Sequence, residues 1–167
     1  DYLREELEQV GVPRAKVSTF YPRYFCEGLP EIAHDEGPGI DVVFVGRLSQ
    51  VKGVMDLPEI VSGIEDLEEA RLIIAGDGVL REPLGDALAT HDPSAWEMRG
   101  ALPHRAVLEL LAKADVVVVP SRFEGIAKSV MEAVLMGAPV VAYDVGGISD
   151  WVADGDNGIL VPPGDGR

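Results

Sequence analysis

A chain of 167 residues is long enough for one domain with its own hydrophobic core. Hydrophobic residues make up 47% and aromatics only 6%, so that core must rest on Val, Leu, Ile and Ala. A formal charge of −15, from 29 acidic against 14 basic side chains, excludes bulk attraction to nucleic acid, and the lack of any apolar run of about 18 residues argues against a transmembrane helix. The acidity is spread along the chain. It reads either as a solvated surface or as an adaptation to high salt. Against that background each scarce cation stands out as a candidate anion ligand. Cys26 is the single cysteine and has no partner for an internal disulfide, which predicts a reducing, cytoplasmic setting. The charged opening Asp1–Glu6 predicts no leader peptide.

Leu3, Leu7 and Val10 fall at helical spacing and are stopped by Gly11 and Pro13, predicting a short helix over Tyr2–Val10. Lys16–Phe20 reads as extended. Residues 22–40 are rich in Pro and Gly and read as a linker. From there strands and helices alternate. Strands are predicted at Val42–Gly46, Leu72–Ala75, Trp96–Arg99 (weak), Val116–Val119, Val140–Ala142 and Ile159–Val161. Helices are predicted between them at Gly53–Ile64, Leu80–Ala89, His104–Ala112 and Ala127–Met136, with a short one at Ile148–Ala153. Strands that are apolar throughout, alternating with helices, imply a parallel sheet covered on both faces. The expected fold class is therefore α/β: a doubly wound, Rossmann-like parallel sheet of about six strands. The chain stops at Gly164–Arg167 just after a strand, so a closing helix is expected beyond it.

Ligands of open α/β sheets sit at the carboxyl ends of the strands, which directs attention to four loops. Gly46–Gly53 places a glycine and two cations, Arg47 and Lys52, after the first strand. Arginine binds phosphate through two parallel N–H donors and lysine acts as a point charge, so this loop is a candidate phosphate site. Gly76-Asp77-Gly78 is either a ligand contact or a plain strand-to-helix turn. Glu124-Gly125-Ile126-Ala127-Lys128-Ser129 runs into a helix whose first N–H groups are free to meet an anion. Val145–Asp150 repeats glycine before a helix start. Neither a P-loop nor a G-x-G-x-x-G after the first strand is present, which counts against a nucleoside triphosphatase and a dinucleotide dehydrogenase. No metal cluster is visible, and His34, His91 and His104 read as surface or helix-start residues.

The most informative segment is Pro120–Pro139, where Glu124 and Glu132 stand eight positions apart across a loop-to-helix junction. Glu132 is flanked by Val130, Met131, Ala133, Val134, Leu135 and Met136, so its helix is apolar on nearly every face and predicts burial. A buried carboxylate needs a hydrogen-bonding partner. A polyhydroxylated ligand at the helix N-terminus would supply one.

These residues resemble the C-terminal domain of retaining glycosyltransferases of family four, the glycosyl transferases group 1 proteins with the GT-B fold. The resemblance rests on VVFVGRLSQVKG (42–53), RLIIAGDG (71–78), and the run from RGALPHR to the Glu-x7-Glu pair and the following GAPVVA and GG, and covers roughly residues 40–165. It implies that Arg47 and Lys52 bind the diphosphate of a nucleotide sugar, with Gly46 and Gly76 close by. It implies that Glu132 holds the ribose and Glu124 the donor sugar, with Gly125, Ile126, Ala127, Lys128 and Ser129 against sugar and phosphate. The family's usual aromatic and glycine after Glu124-Gly125 are replaced here by Ile126-Ala127-Lys128. Lys128 either reaches a phosphate or faces solvent. Catalytic roles fall to Glu124, Arg47 and Lys52 in metal-independent, hexosyl-type transfer with retention, with no cofactor beside the nucleotide sugar substrate. The resemblance further implies that residues 1–39 are the passage from an absent N-terminal acceptor domain and that residues 40–167 bind the donor. Any peripheral membrane association would belong to that absent half. A non-catalytic nucleotide-binding subunit and a nucleotide-sugar epimerase of similar fold stay open at this point.

Overall fold

The computed structural model describes residues 2–17, 39–125 and 127–163. Cys26, His34, Ile126 and most of the predicted linker lie outside them. Six strands form one parallel sheet: β1 (Ile40–Val45), β2 (Ala70–Ala75), β3 (Trp96–Gly100), β4 (Val116–Val119), β5 (Val140–Tyr143) and β6 (Gly158–Val161). Their spatial order is β3-β2-β1-β4-β5-β6. The helices are α1 (Tyr2–Gln9), α2 (Leu57–Ile64), α3 (Arg81–Leu88), α4 (His104–Leu111) and α5 (Lys128–Leu135). This is the doubly wound architecture the apolar strands predict.

The strands are apolar on both sides because both sides are covered. Val43, Ile73, Val117, Val119, Val140 and Ala142 face one layer, where Leu110 and Leu111 of α4 and Val130 and Ala133 of α5 close over them. Val42, Phe44, Leu72, Ile74 and Val118 face the other, packed by Leu57 and Val61 of α2 and Leu84 and Leu88 of α3. Each fully buried side chain of this size contributes roughly 1.5–3 kcal/mol, so the two layers carry most of the stability. The chain winds outward from β1 to β3, then crosses back to β4 on the far side of β1. Right-handed crossovers therefore place α2 and α3 on one face and α4 and α5 on the other. The strand order reverses between β1 and β4, the position at which an open α/β sheet forms its ligand crevice at the strands' carboxyl ends.

Two predicted helices are shorter than their patterns. The segment predicted as helix over Gly53–Ile64 opens with a 3-10 turn, Val54–Asp56, before α2 begins at Leu57, and another 3-10 turn, Gln50–Lys52, precedes it. Gly53 separates the turns in a left-handed conformation (φ 63), and Pro58 sits in the first turn of α2, where its missing N–H costs nothing. The predicted helix at Ile148–Ala153 is a single 3-10 turn, Ile148–Asp150. Asn157 ends it, accepting from the Ala153 N–H at 2.8 Å and donating to the Trp151 carbonyl at 3.0 Å. Lys16, predicted as extended, ends the 3-10 turn Arg14–Lys16.

The loops at the carboxyl ends touch without intervening side chains. Gly146, after β5, lies so close to the Glu124 carbonyl that a Cβ would stand 1.7 Å from its oxygen, and its φ is 59. Gly53 meets the Pro120 carbonyl in the same way, at 1.7 Å. Gly146→Ala combines a backbone clash with a left-handed conformation costing roughly 1–2 kcal/mol for a residue with a Cβ, and is expected to lower Tm by at least about 4 °C. Gly85→Ala, in α3 with open space around it, is expected to leave Tm unchanged or raise it, since alanine is favoured in helices by about 0.5–1 kcal/mol. Thermal unfolding followed by circular dichroism checks both.

Candidate functional site

Four strand-end loops meet at the crevice. The loop after β1 hydrogen-bonds the loop after β2, through Gly46 N–H to Ala75 O at 3.0 Å and Leu48 N–H to Asp77 O at 2.9 Å. It also contacts the loop after β4, through Arg122 N–H to Val51 O at 2.8 Å. Gly76 and Gly78 pack on the backbone of Gly46 and Leu48, so the 76–78 turn has a packing reason for its glycines.

Glu124 and Glu132 are both buried, each 5% exposed. The Oε1 of Glu124 accepts a hydrogen bond from Ser121 Oγ at 2.7 Å and pairs closely with Lys52 Nζ. The Oε1 of Glu132 is bound by His104 Nε2 at 2.8 Å and lies 3.6 Å from Lys128 Nζ, one helical turn back. In both carboxylates the second oxygen, Oε2, makes no hydrogen bond to a described residue. Two acids are thus taken largely out of water, half-satisfied by the protein, and offer one acceptor each. Arg47 is exposed and has no hydrogen-bond or ion-pair partner among the described residues. Lys52, read from sequence as a phosphate ligand, is already engaged by Glu124, 72 positions away. Its three donors leave capacity for an anion.

Of the other expected site residues, Gly125 is half-buried beside Gly147, Ala127 is buried and precedes α5, and Lys128 and Ser129 form that helix's first turn. The first N–H groups of α5 lack carbonyl partners within the helix. Ile126 lies outside the described residues. Sequence reasoning set His104 aside and passed over Ser121. The only local signal for His104 is its place at the start of α4 after the third strand, at the same sheet edge as α5.

A second cluster braces these loops. Arg122 Nη2 donates to both carboxylate oxygens of Asp56 at 2.7 Å, Tyr143 donates to Asp56 Oδ2 at 2.9 Å, and the guanidinium lies 5.2 Å from the Tyr143 ring centroid. Burial, the hydrogen bond to Asp56 and that carboxylate's charge push the Tyr143 phenol up to about 12, with Arg122 opposing.

A cavity of about 630 Å³ lies at the opposite, amino-terminal edge of the sheet, beside Asp41, Arg71 and Asp115. There Arg71 is held by Asp41 at 2.7 and 3.2 Å and the Asp41 N–H by Asp115 at 2.7 Å, so these groups are matched within the protein. Among the described residues no group of three or more His, Cys, Asp or Glu side chains gathers as a metal site. The Asp154-Gly155-Asp156 sequence places its first carboxylate on the Leu160 N–H at 2.9 Å. No helix among the described residues is long and apolar enough to cross a membrane.

Residues 39–167 match the family described as glycosyl transferases group 1, and the chain belongs to that family. It is 31% identical over 124 residues to an alpha-D-kanosaminyltransferase of Streptomyces kanamyceticus, covering 73% of this chain and 32% of the relative. It is 35% identical over 128 residues to a 2-deoxystreptamine N-acetyl-D-glucosaminyltransferase of Streptomyces fradiae, covering 74% and 30%. The chain therefore spans about a third of the length of these curated relatives. Among solved structures, Anabaena Alr3699/HepE in complex with UDP and glucose superposes with a TM-score of 0.69 at 26% identity, covering 77% of this chain and 36% of that one. The lipopolysaccharide outer core galactosyltransferase WaaB shares the fold at a TM-score of 0.79 and 24% identity, covering 98% and 47%.

The Tyr143 phenol is held protonated in the folded state above the ordinary tyrosine value of about 10. The stability it contributes is full below about pH 10 and is lost as pH rises towards about 12. Tyr143→Phe is expected to be less stable than the parent at pH 8 and to lose less stability between pH 10 and 12. Urea unfolding at both ends of that range measures the difference.

Proposed function

We propose that this chain is the donor-binding half of a glycosyltransferase, taking a nucleotide diphosphate sugar and passing its sugar, with retention and without a metal, to an acceptor held by a further domain. The observation that carries the proposal is the pair of buried glutamates at the strand-order reversal, each with one oxygen held by the protein and one left to accept hydroxyl donors. In this reading Glu132 Oε2 takes the ribose and Glu124 Oε2 takes the donor sugar. Such an arrangement suits a ligand rich in hydroxyls at one part and in negative charge at another.

The charge that develops on transfer lies on the departing diphosphate. Arg47, Lys52 and the free N–H groups of α5 would stabilise it as the glycosidic bond breaks. Arg47 is uncommitted among the described residues, and Lys52 can serve a phosphate while keeping Glu124 in place. These donors would supply the role a divalent cation fills in other transferases. Closure of the further domain would exclude water and strengthen each of these interactions. The relatives' names, which include glycosyltransferases and a glycogen synthase of Mycobacterium tuberculosis, and the UDP and glucose in the HepE structure support a hexosyl-type nucleotide sugar donor.

A thermal-shift panel of UDP-, GDP- and ADP-sugars tests the binding half of this proposal, because stabilisation grows with ligand concentration over Kd. One class of nucleotide sugar is expected to raise Tm at millimolar concentration, equally with and without EDTA. Arg47→Ala and Lys52→Ala are each expected to weaken that binding by about tenfold or more, the loss of one charge-assisted contact. A shift that vanishes with EDTA would refute metal independence, and no shift with any nucleotide would refute the donor site. The 167-residue chain alone is expected to transfer no sugar. In the full-length protein, Glu124→Gln is expected to abolish transfer while donor binding persists.

A further inference from the structure

His104 starts α4, on a different element from every residue that sequence reasoning assigned to the site. Its side chain is 57% exposed, yet its Nε2 lies 2.8 Å from the Oε1 of Glu132, whose own side chain is 6% exposed. The contact joins the start of α4 to the middle of α5 across the sheet's carboxyl edge, 28 positions apart in sequence.

We propose that His104 is a positioning residue for ribose recognition: by holding Oε1 of Glu132, it fixes the carboxylate plane and leaves Oε2 aimed into the crevice for the ribose hydroxyls. This rests on the donor-binding reading above. A glutamate side chain has three rotatable bonds, and the walls around Glu132 are apolar: Val130 and Ala133 are fully buried in the α5 layer. Such walls give the carboxylate shape but no direction. The described groups near Oε1 are His104, at hydrogen-bonding distance, and Lys128, at 3.6 Å, too far for a formed hydrogen bond. His104 is therefore the group that sets the carboxylate's orientation. A carboxylate only accepts, so Nε2 carries the proton in this contact. Among the described residues no other contact competes for that nitrogen, and its exposure means that truncating it removes no core packing.

The prediction is a coupling between His104 and the ribose hydroxyls, read in the full-length protein by calorimetric titration. UDP, GDP and ADP are each compared with the 2′,3′-dideoxy form. The parent is expected to prefer the ribose form of its own nucleotide by at least about tenfold, the worth of one or two hydrogen bonds to a charged acceptor. His104→Ala is expected to bring the two forms within about threefold, through weaker binding of the ribose form alone. His104→Gln keeps an N–H donor near the Nε2 position and is expected to restore most of the preference. Equal weakening of both forms by His104→Ala, or an unchanged preference, overturns the proposal. Failure of Gln to do better than Ala would do so too. Glu132→Ala separates this from the underlying reading. If the ribose preference survives that substitution, Glu132 does not read the ribose and the donor-site assignment itself fails. If Glu132→Ala abolishes the preference while His104→Ala retains it, the donor site stands and only the role of His104 falls.

Discussion

The crevice depends on backbone meeting backbone where no side chain fits. The loop after β5 reaches the loop after β4 at Gly146 and the Glu124 carbonyl, and the loop after β1 reaches it at Gly53 and the Pro120 carbonyl. These contacts bracket the segment Pro120–Glu124 from both sides. They set where Glu124 can be before any side chain interaction is made. The Asp56–Arg122–Tyr143 cluster then fastens the same loops with charged and aromatic groups. Because the strands behind are packed on both faces, the loops are presented by a scaffold that has little freedom to yield.

On this frame two carboxylates are carried into a low-dielectric edge of the core. An ionised carboxylate buried alone is costly, and a single neutral hydrogen bond does not offset it. The protein answers in two ways. Glu124 receives a hydroxyl and an ammonium on one oxygen, and Glu132 receives an imidazole on one oxygen with an ammonium further off. Both solutions stop short of full satisfaction. An acceptor oxygen left without a protein partner at the open edge of a core is ordinary in a site that awaits a ligand.

Much of the fold was legible because the physics that builds it is local and periodic. Runs such as Val116–Val119 and Leu72–Ala75 are apolar on both faces, which only a doubly covered parallel strand requires. The Glu-x7-Glu segment betrayed its burial through its neighbours in α5. What stayed hidden was decided by pairing across long separations. Asp56, Arg122 and Tyr143 lie on three elements, 66 and 87 positions apart, and nothing in their local sequence links them. His104 and Ser121 are unremarkable as letters and acquire a role only when the sheet order brings α4 and the β4 loop beside Glu132 and Glu124. Helix lengths failed where one residue overruled a pattern, as Gly53 does before α2 and Asn157 does after Ile148–Asp150.

The distribution of charge gives the last step. In a chain with 29 acidic residues, a cation has carboxylates on offer almost everywhere. Arg71, Arg99, Arg105 and Arg122 each hold an acid, and Arg14 approaches Glu8 at 3.6 Å. Arg4 is also partnered. Among the described arginines, Arg47 and Arg81 are the exceptions, and both stand at the carboxyl edge of the sheet, after β1 and at the start of α3. An acidic surface repels anions in general, so a site for a doubly charged ligand must create a local field against the mean. Withholding carboxylates from Arg47 and Arg81, while Lys52 and Arg122 at the same edge hold Glu124 and Asp56, does so without adding any positive charge to the protein. The overall acidity and the anion site are then compatible: the first concerns the surface at large, and the second a few ångströms around groups the fold has left unneutralised.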